Sequence, residues 1–154
     1  MEIAEMISPS SVIANLRVTS KKQALQELAK KAAEVTGQPE RSIFEVLIER
    51  ERLGTTGVGN GIAIPHGKLP GLDRLYGLFA RLETPIEFDA IDEQPVDLIC
   101  LLLAPETAGA DHLKALARIS RLLRDGTICK KLRGSETPDA IYALLTESTT
   151  SHAA

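Results

Sequence analysis

Val96-Asp97-Leu98-Ile99-Cys100-Leu101-Leu102-Leu103 is apolar at all but one position, and so short a run without alternation predicts a strand buried on both faces. A strand with no solvent face needs cover on each side of its sheet, and the flanking sequence supplies helices to provide it. Upstream, Leu75 to Leu82 and Ile62-Ala63-Ile64 predict two further strands, and Val12 to Leu16 a fourth. Ser20-Lys21-Lys22-Gln23 has the capping-box pattern and opens a helix with Leu25, Leu28, Ala29, Ala32 and Ala33 on one face, ended by Gly37. Pro39 stands at a first helical position ahead of Ile43, Val46 and Leu47, an apolar stripe that runs to Gly54 and carries Arg50. Downstream, the small residues Thr107-Ala108-Gly109-Ala110 form a loop before a helix with Leu113, Leu116, Ala117 and Leu123 as its apolar residues. Cys129 falls in a further helix, and Thr137-Pro138 starts a last one bearing Ile141, Leu144 and Leu145. Strands alternating with helices, with no repeat or linker between them, predict a single α/β domain over residues 1–147, with 148–154 as a disordered tail.

Composition narrows the function classes. A chain of 154 residues with 44% hydrophobic and 25% charged residues builds an ordinary core, which must be aliphatic because aromatics are 3% and Trp is absent. The formal net charge of −3 gives no general attraction to nucleic acid or to an anionic membrane. Two distant cysteines, Cys100 in the apolar run and Cys129 in a helix, do not form a disulfide framework. The N-terminus carries Glu2 and Glu5 where a secretory signal would be basic, and the longest apolar stretch, Leu98 to Ala104, is far short of the roughly 20 residues that cross a bilayer. The expected location is the cytoplasm, without membrane insertion.

The residue most suggestive of chemistry is His66, set between the stiff Pro65 and the unhindered Gly67, just past the end of a predicted strand. A neutral imidazole is a nucleophile near physiological pH and accepts an acyl or phosphoryl group without a metal. A surface histidine in a turn is the alternative reading of the same residues. Gly54-Thr55-Thr56-Gly57-Val58-Gly59-Asn60-Gly61 predicts a loop, in which Gly57, Gly59 and Gly61 would aim several backbone N–H groups at one phosphate. Two familiar nucleotide loops fail here, since the glycine pattern lacks its last glycine and Gly67-Lys68-Leu69 lacks the hydroxyl residue of the P-loop. His112 stands at a helix start, where dipole and free N–H groups attract an anion. Arg50 leaves the buried edge of its helix toward the glycine stretch, with a guanidinium suited to phosphate or to an ion pair with a neighbouring acid. His66, His112 and Asp111 have no metal-ligand spacing, and no Gly-x-Ser-x-Gly elbow is present, so zinc and serine-hydrolase chemistry are disfavoured. His152, in the tail, is expected to be solvated and idle.

Glu51, then Val58-Gly59-Asn60-Gly61-Ile62-Ala63-Ile64-Pro65-His66-Gly67, resembles the active-site signature of the type-2 IIA proteins of the phosphoenolpyruvate-dependent phosphotransferase system (PTS). The resemblance runs from about Ile7 to Leu145 and includes the Ser20-Lys21-Lys22 helix start, the Arg50-Glu51 pair and His112-Leu113. It implies a mixed sheet of about five strands flanked by helices, with no bound cofactor and no metal. It implies that His66 is phosphorylated at Nε2 by a small phosphohistidine carrier protein, that His112 stabilises the phosphoryl group, and that Arg50 contacts it. Such a chain is a phosphoryl carrier rather than a stand-alone turnover enzyme. Thr55-Thr56-Gly57-Val58-Gly59, the exit Gly67-Lys68-Leu69-Pro70-Gly71-Leu72 and the lack of a fused segment resemble the free-standing nitrogen-branch members. These imply a nitrogen-branch phosphocarrier as donor and regulated targets such as potassium-transport or sensor-kinase components. The alternative within the family is a fructose- or mannitol-type IIA component that passes the phosphoryl group to a permease IIB domain.

Overall fold

The computed structural model describes the backbone of residues 2–153 and the side chains of residues 2–147. The expected disordered tail at 148–154, with His152, lies outside the fully described residues. Six strands form one mixed sheet: β1 (Val12–Leu16), β2 (Gly57–Gly59), β3 (Ile62–Ala63), β4 (His66–Leu69), β5 (Tyr76–Ile86) and β6 (Val96–Pro105). The spatial order is β1-β5-β6-β3-β2, and β4 also pairs with β6. β1 runs parallel to β5, β5 antiparallel to β6, and β3 and β4 follow one another parallel along the free edge of β6.

The apolar run in β6 is buried on both faces, as its lack of alternation requires. Ile99, Leu101 and Leu103 point into one core layer, where α1 (Lys21–Thr36) and α2 (Glu40–Arg52) bury Leu25, Leu28, Ile43 and Leu47. Leu98, Cys100, Leu102 and Ala104 point into the other, beneath α3 (Ala110–Leu123), α4 (Gly126–Arg133) and α5 (Pro138–Ala153). Ser20 accepts a hydrogen bond from the Gln23 N–H at the start of α1, and Gly37 closes it in the left-handed conformation at φ 77°. Pro39 proves to be the residue before α2 rather than its first residue. Both cysteines are free and buried, and burial alone pushes the Cys100 thiol up to about 12. No helix among the described residues is long and apolar enough to cross a membrane.

Three expectations are corrected. The stretch from Gly54 to Gly61 is not all loop: β2 and β3 form an antiparallel hairpin around Asn60 (φ 58°) and Gly61 (φ 80°), two successive positive-φ residues whose twist matches that of paired strands. His66 does not hang beyond a strand end but opens β4, opposite Leu102. The inward face of α3 is His112, Ala115, Ile119, Leu122 and Leu123, whereas Leu113 is 69% exposed. α3 is strongly amphipathic: Ala115, Ile119, Leu122 and Leu123 recur on one arc, and His112 lies on it, whereas the expected face took in the exposed Leu113 and Ala117 and left out Ile119 and Leu122.

Candidate functional site

The strand β4 begins where it does because the Pro65 carbonyl accepts the Leu102 N–H at 3.0 Å, restoring pairing with β6 after the Ile64-Pro65 interruption. This register sets His66 and Lys68 on the α3 side of the sheet and Gly67 on the α2 side. A Cβ at Gly67 would lie 2.3 Å from Val46 Cγ1, so only glycine lets α2 pass this close to β4. Arg50 sits one helical turn beyond Val46 and therefore reaches the His66 ring from the opposite side to His112.

Arg50 Nε donates to His66 Nε2 at 3.3 Å, and Arg50 Nη1 donates to the Gly54 carbonyl at 2.9 Å. His66 Nδ1 lies 2.9 Å from the Ile64 carbonyl oxygen. A guanidinium only donates and a carbonyl only accepts, so both contacts require the neutral Nδ1–H tautomer, with the lone pair on Nε2. His112 stands edge-on to His66, with ring centroids 5.7 Å apart and planes at 70°. It is only 8% exposed, and its Nε2 is buried with no hydrogen-bond partner among the described residues. Burial, then the neighbouring His66, then Lys68 hold its proton affinity below that of an ordinary imidazole. Beside the His66 ring, His112 thus keeps a polar nitrogen whose hydrogen-bonding capacity is unspent among the described residues.

The remaining expected residues are not brought here. Ile62 and Ala63 pair with Leu98 and Ile99, four and three positions down β6 from the partner of His66, so the glycine hairpin begins about 10 Å along the strand from His66 and runs away from it. The Asn60 N–H donates to Asp92 at 2.9 Å, Gly59 packs against the same carboxylate, and Gly61 faces the Asp97–Arg133 ion pair. The expected phosphate nest of Gly57, Gly59 and Gly61 does not face His66: Gly57 and Gly59 pair with Ala63 and Ile62, the Gly57 N–H donates to the Thr55 hydroxyl, and the Asn60 and Gln94 amides hold the Asp92 carboxyl below the usual carboxylate range. Asp111 is exposed, and no group of His, Cys, Asp or Glu among the described residues is arranged to hold a metal ion. Lys68 was missed as a neighbour of His112; reading His66–Leu69 as a strand would have found it, because residues two apart share a face.

The lowered proton affinity of His112 predicts a pH dependence. Its folded pKa lies below the ordinary imidazole value of about 6.5, so the unfolded chain binds more protons between the two, and stability is full above about 6.5 and falls as the pH drops toward the folded value. His112→Gln is expected to flatten this part of the stability curve between pH 7 and 5. Denaturant unfolding at a series of pH values checks it; an equally steep decline in the variant would refute the attribution.

Comparison with known proteins identifies the family. Residues 5–148 match the family described as phosphoenolpyruvate-dependent sugar phosphotransferase system, EIIA 2. The chain is 65% identical over 145 residues to a protein of Bradyrhizobium diazoefficiens named nitrogen regulatory protein, covering 94% of this chain and 95% of that one. It is 40% identical over 149 residues to the nitrogen regulatory protein of Escherichia coli, covering 96% and 91%. The crystal structure of nitrogen regulatory protein IIA-Ntr from Neisseria meningitidis superposes with a TM-score of 0.89 at 35% identity, over 94% of this chain and 99% of that one. A match across nearly the whole domain, in sequence and in fold, places this chain in the EIIA type 2 family of the phosphoenolpyruvate-dependent sugar phosphotransferase system.

Proposed function

We propose that this protein is a nitrogen-branch PTS phosphoryl carrier and regulator, which accepts a phosphoryl group on His66 Nε2 from a phosphohistidine carrier protein and controls target proteins through its phosphorylation state. The observation that supports this most is the Nδ1–H tautomer, which leaves the lone pair of His66 on Nε2, between Arg50 and His112. In the transfer, the Nε2 pair attacks phosphorus in line, the P–N bond of the donor breaks, and its electron pair returns to the donor imidazole. The ring proton stays on Nδ1, where the Ile64 carbonyl stabilises the positive charge that develops. Arg50 leaves Nε2 for the incoming phosphoryl oxygens, and the unpaired Nε2 of His112, when it carries a proton, donates to another. The nitrogen-branch assignment is supported by relatives of that name matched over almost their full length.

Regulation follows from charge: a phosphoryl group adds about 1.5 to 2 negative charges at the sheet edge and changes which protein surfaces dock there. The test is incubation with phosphorylated carrier protein, followed by ³¹P and ¹⁵N NMR of the product. A phosphoryl group on His66 Nε2 is expected; modification at Nδ1 or at another residue would sink the proposal.

A further inference from the structure

Glu51, next to Arg50 on α2, is a carboxylate only 9% exposed. Its Oε1 accepts from the Thr56 N–H at 3.1 Å and lies 2.9 Å from Lys21 Nζ, and its Oε2 accepts from the Thr56 hydroxyl. Lys21 in turn lies over the Phe88 ring, 4.7 Å from its centre. So heavily satisfied a buried charge resists any rearrangement of its partners, because each lost donor would leave it poorly solvated.

Both contacts that orient His66 lead back to this cluster. On one side the Thr56 carbonyl accepts the Ile64 N–H at 3.0 Å, and the Ile64 carbonyl accepts the His66 Nδ1–H. On the other, Glu51 follows Arg50 in the last turn of α2, and its own carbonyl accepts the Gly54 N–H at 3.1 Å, while the Gly54 carbonyl accepts from Arg50 Nη1. We propose that Glu51, paired with Lys21, is a positioning residue for phosphoryl transfer: by clamping Thr56 it holds the Ile64 carbonyl and Arg50 against opposite nitrogens of His66 and keeps the ring in its Nδ1–H tautomer. The clamp acts through the Thr56 hydrogen bonds, and the ammonium of Lys21, 2.9 Å from Oε1, pairs with the carboxylate in its buried place. This deepens the reading of His66 as acceptor and rests on it, but its central readout needs no transfer.

The test compares the unphosphorylated full chain with two double variants, both relieved of the half-buried ammonium by Lys21→Met. Glu51→Ala with Lys21→Met removes the clamp, whereas Glu51→Gln with Lys21→Met retains a side chain able to accept from Thr56. Long-range ¹H–¹⁵N spectra of the His66 ring are expected to show mixed tautomers in the alanine variant and the native Nδ1–H tautomer in the glutamine variant. Transfer from the phosphorylated carrier should slow by about tenfold to a hundredfold in the first and recover in the second. A native tautomer in the alanine variant, or no recovery with glutamine, overturns the proposal. Should the alanine variant not fold, Thr56→Val removes one clamping donor in place; it is expected to shift the tautomer ratio in the same direction, and an unchanged ratio overturns the proposal. Labelling that survives His66→Ala would instead defeat the acceptor reading, and the tautomer spectra would still judge the clamp.

Discussion

His66→Ala is expected to reduce phosphoryl labelling to background while leaving the protein folded. The ring is half-buried and makes two hydrogen bonds, to Ile64 and from Arg50, so its loss costs about 1–3 kcal/mol. For a chain of this size that lowers Tm by only several degrees, at roughly 2–4 °C per kcal/mol. Nothing else at the site substitutes as nucleophile: His112 is buried, and Cys100 and Cys129 lie in the core with raised proton affinities. Arg50→Met separates assistance from acceptance. It leaves the Nε2 lone pair in place but removes a donor aimed at the developing phosphoryl charge, and is expected to slow transfer by about 10²-fold without lowering the final extent of labelling. Rapid-quench labelling from the phosphorylated carrier, with calorimetry on the same samples, checks both; full labelling of folded His66→Ala would remove His66 from the mechanism.

The second large effect belongs to a residue with no side chain. Gly67→Ala would place a methyl group 2.3 Å from Val46 Cγ1, more than an ångström inside ordinary contact. Valine in a helix has essentially one χ1 rotamer, so the clash cannot be relieved by side-chain rotation and α2 must move away from β4. Overpacking of this kind costs about 1–3 kcal/mol, and it displaces Arg50 from His66, so the rate of transfer falls along with stability. Adding Val46→Ala reopens the space and is expected to restore most of both. Thermal unfolding and transfer rates of the two single variants and the pair form the measurement; a Gly67→Ala protein with native Tm and native rate would show that α2 does not depend on this contact.

The resemblance to type-2 IIA domains, the α/β class and the core strand were legible because each rests on local pattern: an unbroken apolar run in β6, the Ser20 cap, and the Pro65-His66-Gly67 sequence. Asn60-Gly61 was legible too, since Asn-Gly is the preferred pair for a tight hairpin turn, but four glycines in eight residues favoured reading the whole stretch as loop. Leu113 and His112 show a different failure. Ala115, Ile119, Leu122 and Leu123 recur on one face of α3 and place His112 inside and Leu113 outside, so the local pattern held the answer, and a face drawn through Leu113 and Ala117 missed it.

By itself the sequence determined which groups are available: an imidazole after a proline, a second imidazole at a helix start, a guanidinium at a helix end, and glycines in between. Hydrogen-bond capacity and charge are properties of each residue type, and they travel with the letter. Only the tertiary structure decided which of these meet. It brought Arg50 and His112 to opposite sides of His66 because β4 pairs with β6 and Gly67 lets α2 pass close by, and it set the ring tautomer through the Ile64 carbonyl. It also sent the glycine hairpin to Asp92 and buried Glu51 beneath Thr56. Those outcomes depend on strand register and on helices crossing opposite faces of one sheet, distances set by the whole chain at once.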